Sequence, residues 1–172
     1  MDDKILLDEN KEYKFDFSKL NYVWDIHDMA SQTTMLSDVD FITETEKEVL
    51  FIEYKNANIA NAKNPDGMLK KASTETFYKK IARKYYDSLL LFWACNGNFK
   101  QLPVVYVLLI EHPMMDKKIR KMLKEKISKQ LPFNLKDSRI VHKIIADFDV
   151  CNLEEWKEKF PCISITPVEK IR

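Results

Sequence analysis

The sequence is poor in glycine: only Gly67 and Gly97 occur among its 172 residues, and they lie far apart. Phosphate-binding loops, dinucleotide-binding fingerprints and nucleophile elbows all need clustered glycines, because the backbone must turn sharply or approach a ligand closely. The sequence therefore argues against kinase-like, Rossmann-type and serine-hydrolase functions.

Cysteine is also scarce, and long apolar segments are missing. Cys95, Cys151 and Cys162 form neither a disulfide framework nor a closely spaced metal-binding pair, which favours a reducing compartment. The N-terminus lacks a basic start followed by an apolar core, so we expect no signal peptide. The longest apolar runs, residues 89–94 and 104–110, are too short to cross a bilayer. We expect a cytoplasmic protein without a membrane partner.

The charges of the chain are balanced, with 28 basic and 27 acidic side chains and a net charge of +1. The total charge therefore gives no argument for a nucleic-acid partner, and any such argument must come from local groups of charges. Hydrophobic residues make up 45% of the chain and aromatic residues 12%, which is enough for a packed core. The length suits one domain.

The order of apolar patterns predicts an α/β domain with a mixed β-sheet and helices on both faces. Residues 13–17 alternate between apolar and polar, as a half-buried strand does. Residues 20–35 have a mixed pattern that allows a short helix. Residues 37–55 contain two strand-like segments around a polar turn, which predicts a β-hairpin. Residues 49–52 are apolar on both sides of the strand, so both of its faces should be covered.

Helices and strands alternate after the hairpin. A long loop over residues 56–72 contains Asn-Pro-Asp-Gly. The further predicted elements are, in chain order, a helix capped by Ser73 and ended by Asn96-Gly97, a central strand over 102–110, a helix from Asp116 to before Pro132, a strand over 140–150, a short helix with a capping box of Asn152 and Glu155, and an edge strand around Ile163 and Ile165. We treat residues 1–172 as one domain, with a core of about 13–111 and a C-terminal α/β extension of about 112–172.

Four charged side chains occupy the open end of the predicted hairpin. Asp38 and Asp40 lie two apart on its first strand, and Glu53 and Lys55 lie two apart on its second. A turn of even length centred between residues 46 and 47 sets Asp40 opposite Glu53. A turn of even length centred between residues 45 and 46 sets Asp38 opposite Glu53 instead. Either turn places all four side chains on one face, with opposed Cβ atoms ~5 Å apart. A turn of odd length would move the aspartates to the other face.

Two carboxylates at that separation repel each other unless a cation neutralises them. Mg²⁺ prefers oxygen ligands and keeps several waters for chemistry. A nearby ammonium group such as that of Lys55 can stabilise charge that develops on a phosphate, and can orient or deprotonate an attacking water. These residue types therefore suit the hydrolysis of a phosphodiester bond. A surface salt bridge is the simpler alternative, but it gives no reason for two acids on one face.

The segments S-D-V-D-F-I and V-L-F-I-E-Y-K resemble the PD-(D/E)XK nuclease superfamily, which includes restriction endonucleases and Holliday-junction resolvases. They are especially similar to its small resolvase-like members. The resemblance is close over residues 37–55 and extends more loosely to about residue 111. It implies a restriction-endonuclease-like core and a metal-dependent nuclease that cuts DNA or RNA to leave a 5′-phosphate.

The resemblance also implies a role for each motif residue. Asp40 and Glu53 would bind Mg²⁺ or Mn²⁺, the backbone carbonyl of Tyr54 would be a third ligand, and Lys55 would be the catalytic lysine. Asp38 is the alternative metal ligand. Val39 replaces the proline of the family name. The glutamate that the first helix often supplies has no clear match; the candidates are Glu12, Asp25 and Asp28.

The helix after the hairpin carries a basic face of Lys79, Lys80, Arg83 and Lys84. The resemblance would place one or two of these side chains near a phosphate, and Lys80 is our candidate for nucleic-acid binding; a solvated helix face is the alternative. Dimerisation would suit double-strand cutting. The residues also allow a second function, in which the same fold is a non-catalytic module that binds nucleic acid or protein.

Overall fold

The computed structural model describes residues 4–57 and 67–169 of the chain. Within these residues, eight strands form two sheets and five α-helices pack around them. The elements are β1 (Ile5–Leu7), β2 (Tyr13–Asp16), β3 (Val23–Trp24), α1 (His27–Ala30), β4 (Phe41–Glu44), β5 (Val49–Asn56), α2 (Gly67–Ala72), α3 (Glu75–Ala94), β6 (Val104–Glu111), α4 (Lys117–Ser128), β7 (Asp147–Cys151), α5 (Leu153–Lys159) and β8 (Ser164–Pro167). None of the helices in these two ranges is both long and apolar enough to span a membrane.

The larger sheet is mixed, as predicted. Its strand order is β3-β4-β5-β6-β7, in which β3, β4 and β5 pair antiparallel and β5, β6 and β7 pair parallel. Residues 49–54 of β5 and 104–110 of β6 are buried, because these central strands are covered on both faces. This confirms the expectation drawn from their continuous apolar sequence.

Two apolar cores lie on the two faces of this sheet. On one face, Phe51 packs with residues of α3 and α4, including Tyr85 and Leu123. On the other face, Ile52 belongs to a core with Trp156 of α5 and with the smaller sheet. Helices on both faces are therefore confirmed.

The smaller sheet was not predicted. It has the order β1-β2-β8, so the first strands of the chain and the last one pair with each other rather than with the main sheet. Phe15 of β2 and Ile165 of β8 lie opposite each other and bury their side chains in the second core. The edge strand expected around Ile163 and Ile165 is present as β8, at the edge of this smaller sheet.

Two predicted element starts are wrong. The N-cap of α3 is Thr74, whose hydroxyl accepts a hydrogen bond from the Phe77 amide at 3.2 Å. The Ser73 hydroxyl instead donates to the Leu69 carbonyl of α2, which lies inside the predicted loop. The predicted strand over residues 140–150 begins only at Asp147. The start at Asp116 and the Asn152–Glu155 capping box are confirmed.

Helix α3 fixes the chain just before β4. The Ser37 amide donates to the Asp87 carboxylate and the Val39 amide donates to the Ser88 hydroxyl, both at 2.9 Å. Val39 and Ser88 are fully buried. Asp40 lies between this attachment and the first residue of β4, so its backbone is held from both sides.

We predict that Ser88→Ala lowers the free energy of unfolding by about 1–3 kcal/mol, because it leaves the buried Val39 amide without a partner. Urea denaturation measures this change. Thr76→Ala is the matched control: it removes an exposed hydroxyl from the same helix and should cost less than about 0.5 kcal/mol. Equal stability of the two variants would contradict the importance of this attachment.

Candidate active site

The register of the β4–β5 hairpin brings two acidic residues face to face. Phe41 pairs with Ile52 and Glu44 pairs with Val49, and one further step along this register sets Asp40 opposite Glu53. The turn over residues 45–48 is closed by a hydrogen bond from the Thr45 amide to the Glu48 carbonyl, at 2.9 Å. The turn is of even length, and the first of the two predicted registers is the one observed.

The face on which the carboxylates lie follows from their neighbours. Ile42 and Phe51 belong to the core beneath α3, whereas Phe41 and Ile52 belong to the core on the other side of the sheet. Because side chains alternate along a strand, positions 40, 53 and 55 share the face that is covered by α3. The site is therefore built from β4, β5 and α3.

Glu53 is buried, with 0% of its surface exposed, and two lysines neutralise it. The Lys84 ammonium lies 2.8 Å from Oε1 and donates to Oε2 at 2.9 Å. The Lys55 ammonium lies 2.5 Å from Oε1. Both ammonium groups are therefore within contact distance of Oε1, and Lys84 also reaches Oε2. The charge of Glu53 is thus compensated by two lysines of the protein itself.

Asp40 is held by the backbone of the opposite strand. Its Oδ2 accepts a hydrogen bond from the Tyr54 amide at 2.6 Å. Burial, and then the negative charge of Glu53, raise the pKa of the Asp40 carboxyl to about 7, although the Tyr54 amide, Lys84 and Lys55 act in the opposite direction. The Asp40 carboxyl therefore changes its protonation state near neutral pH, because its charged form is buried beside a second acid.

Lys55 borders a small cavity of about 130 Å³ at the open end of the hairpin. Burial favours the neutral form of Lys55, but Glu53, Asp40 and Glu9 together outweigh it and raise the pKa of the ammonium group. Lys55 is therefore a cation and a hydrogen-bond donor rather than a base. The cavity is lined by Asp8, Glu9, Asn10, Asp40, Phe41, Tyr54, Lys55 and Asn56.

The other predicted acids lie elsewhere or have other partners. Asp38 forms an ion pair with the exposed His27, with 3.1 Å between Oδ2 and Nδ1. Asp25 accepts a hydrogen bond from the His27 amide at 2.9 Å, and Glu12 accepts one from the Asn56 side chain, also at 2.9 Å. Asp28 is exposed on α1. These contacts place none of the four acids as a third carboxylate beside Asp40 and Glu53.

The sequence prediction missed the role of Lys84. We chose Lys80 from the basic face of α3, but Lys80 is exposed, whereas Lys84 reaches Glu53. Helical periodicity indicates that Lys84 lies on the buried side of α3, because it is three residues after Ile81 and four before Ser88, and both of these are buried. A basic side chain beside the buried stripe of a helix can reach the sheet, while Lys79 and Arg83 pair with acids on α3 itself.

Across residues 4–57 and 67–169, no three or more histidine, cysteine, aspartate or glutamate side chains are grouped as a metal site. Asp40 and Glu53 are two carboxylates, so any cation there would take its further ligands from backbone and water, as Mg²⁺ commonly does.

No protein-family model, curated protein or solved structure matches the chain. The resemblance to PD-(D/E)XK nucleases thus remains a prediction that rests on the motif residues.

We predict that Asp40→Asn stabilises the cation-free protein at pH 8 by roughly 1–4 kcal/mol and leaves its stability at pH 4 nearly unchanged. The folded state holds the Asp40 proton more tightly than the unfolded chain, whose ordinary value is 3.8. Binding of this proton therefore adds to the free energy of unfolding. The added free energy has its full value below about pH 4 and is lost as the pH rises through about 7.

Unfolding by urea across this pH range measures the effect. The control is Asp28→Asn, which changes an exposed carboxyl and should leave the pH profile as it is in the wild type. A parallel profile for Asp40→Asn and the wild type would contradict the raised pKa of Asp40.

Proposed function

We propose that the protein is a metal-dependent nuclease that hydrolyses phosphodiester bonds of nucleic acid, with DNA as the first candidate. The observation that carries this proposal is the placement of Asp40 opposite Glu53 with the Lys55 ammonium beside them. Two acids and a lysine at the open end of the β4–β5 hairpin are the residues that the PD-(D/E)XK resemblance assigns to catalysis.

The residues fit a hard divalent cation. Asp40 and Glu53 offer the oxygen ligands that Mg²⁺ prefers, and the raised pKa of the Asp40 carboxyl shows that the charged form of this buried acid is not fully compensated by the protein. Asp40 and Glu53 would hold Mg²⁺ or Mn²⁺, with the Tyr54 carbonyl as the further ligand that the resemblance implies. Such an ion supplies charge neutralisation at the phosphate and lowers the pKa of water.

The side chain of Lys55 acts on the substrate. Its raised pKa keeps it protonated, so it would donate to a phosphate oxygen and stabilise the charge that develops there. A water oxygen forms the new bond to phosphorus and the bond to the 3′-oxygen breaks. The proton lost by the water is balanced by one gained at that 3′-oxygen, and the 5′-phosphate remains on the other product.

Lys80 extends this site along α3. It lies one turn before Lys84, is exposed, and forms no ion pair within the described part of the chain, whereas Lys79 and Arg83 pair with acids. A free ammonium at that position suits contact with a phosphate further along the strand. Such contacts contribute affinity without selecting sequence.

One observation favours a second candidate function. Glu53 has no exposed surface, and two lysines already neutralise it, so the ion pairs can fix the hairpin to α3 without any cation. In that case the same fold would be a non-catalytic module that binds nucleic acid or protein. Titration with Mg²⁺ separates the two functions, because a ligand that binds only the folded state raises its thermal stability.

The direct test is cleavage of duplex, single-stranded and branched DNA and of RNA, with Mg²⁺ or with chelator. We expect Mg²⁺-dependent products, and we expect Glu53→Gln or Lys55→Met to lower the rate at least about a hundredfold, since each removes a charge that acts on the reacting phosphate. Gel analysis of end-labelled substrates measures both the rate and the product ends.

Glu44→Gln is the matched control for this assay. Glu44 is also buried and also pairs with a lysine, with 2.5 Å between its Oε1 and the Lys100 ammonium. It lies four residues from Asp40 along β4, or about 13 Å. The control should keep its activity. If no substrate is cut, or if Glu53→Gln cuts as well as Glu44→Gln does, the nuclease proposal fails.

A further inference from the structure

The two lysines at Glu53 occupy different positions. Lys84 comes from the middle of α3, lies within 2.9 Å of both carboxylate oxygens, and has 16% of its side chain exposed. Lys55 comes from the end of β5, lies 2.5 Å from Oε1, and borders the cavity. Lys55 can turn toward a substrate in that cavity, whereas Lys84 is held against Glu53 by the helix.

Asp40 lies opposite Glu53 in the register of the hairpin, next to the carboxylate that Lys84 contacts. The positive charge of Lys84 also opposes the rise in the Asp40 pKa. An ion shared by Asp40 and Glu53 would bind a Glu53 oxygen, and the Lys84 ammonium contacts both of the Glu53 oxygens. A lysine ammonium and a divalent cation repel each other at such a distance, so they compete for these two carboxylates.

We propose that Lys84 is a positioning residue that serves as an internal counter-ion: it occupies the cation position in the cation-free protein and thereby sets the affinity for the divalent ion. This inference rests on the proposed function, because it takes Asp40 and Glu53 as the cation ligands. It adds that cation binding must displace the Lys84 ammonium from Glu53. The attachment of α3 to the site is therefore coupled to the presence of the ion.

The test is the affinity for Mn²⁺ of Lys84→Met, measured by isothermal titration calorimetry without nucleic acid. Methionine keeps an unbranched side chain but removes the competing charge. We expect the Kd for Mn²⁺ to fall at least about tenfold, which corresponds to about 1.4 kcal/mol. The melting temperature of the cation-free variant should fall, and Mn²⁺ should raise it by more than it raises that of the wild type. Lys84→Arg keeps the charge and should keep the wild-type Kd.

Lys100→Met is the matched control, since it also removes the ammonium partner of a buried glutamate. It should lower the melting temperature without changing the Kd for Mn²⁺. Lys84→Met would behave in the same way if the role of Lys84 were purely structural. If Mn²⁺ binds the wild type but Lys84→Met binds it equally or more weakly, the counter-ion role is overturned and the nuclease proposal stands. If neither protein binds Mn²⁺, the cation site and the inference both fail.

Discussion

The burial of one carboxylate, that of Glu53, determines how the site is arranged. An unpaired charge in a protein interior costs several kcal/mol, so the folded chain must supply positive groups around it. Lys55 comes from the same strand and Lys84 from α3, and both reach Glu53 within 2.9 Å. The ion pair of Lys84 with this fully buried carboxylate thus joins α3 to the hairpin at the site.

The register of the hairpin is the second constraint, because it selects the neighbour of this charge. The turn over residues 45–48 fixes the pairing of β4 with β5, and α3 fixes the chain before β4 through Val39 and Ser88. Asp40 is then left facing Glu53 with its pKa raised to about 7. The proposed chemistry takes these two acids as the ligands of a divalent cation.

The hairpin and its charged face could be predicted because they depend on local rules. Strand alternation is a property of residues 37–55 alone, and the apolar run in β5 indicates burial on both sides. The length of the turn, and with it the choice of register, is decided only by the structure. The smaller sheet could not be predicted in this way, since β2 and β8 lie at opposite ends of the chain and meet only in the folded protein. The contact of Lys84 with Glu53 is also non-local, and depends on how α3 is rotated against the sheet. The choice of Thr74 over Ser73 as N-cap depended on α2, a helix that the sequence did not indicate.

The most direct test of the account is the position of a divalent ion in a crystal of the protein grown or soaked with Mn²⁺. Anomalous scattering identifies Mn²⁺ independently of waters. The account predicts a peak about 2 Å from carboxylate oxygens of both Asp40 and Glu53, with the Lys84 ammonium moved away from Glu53. A crystal at high Mn²⁺ concentration with no peak between these two residues, and with Lys84 still bound to Glu53, would contradict it.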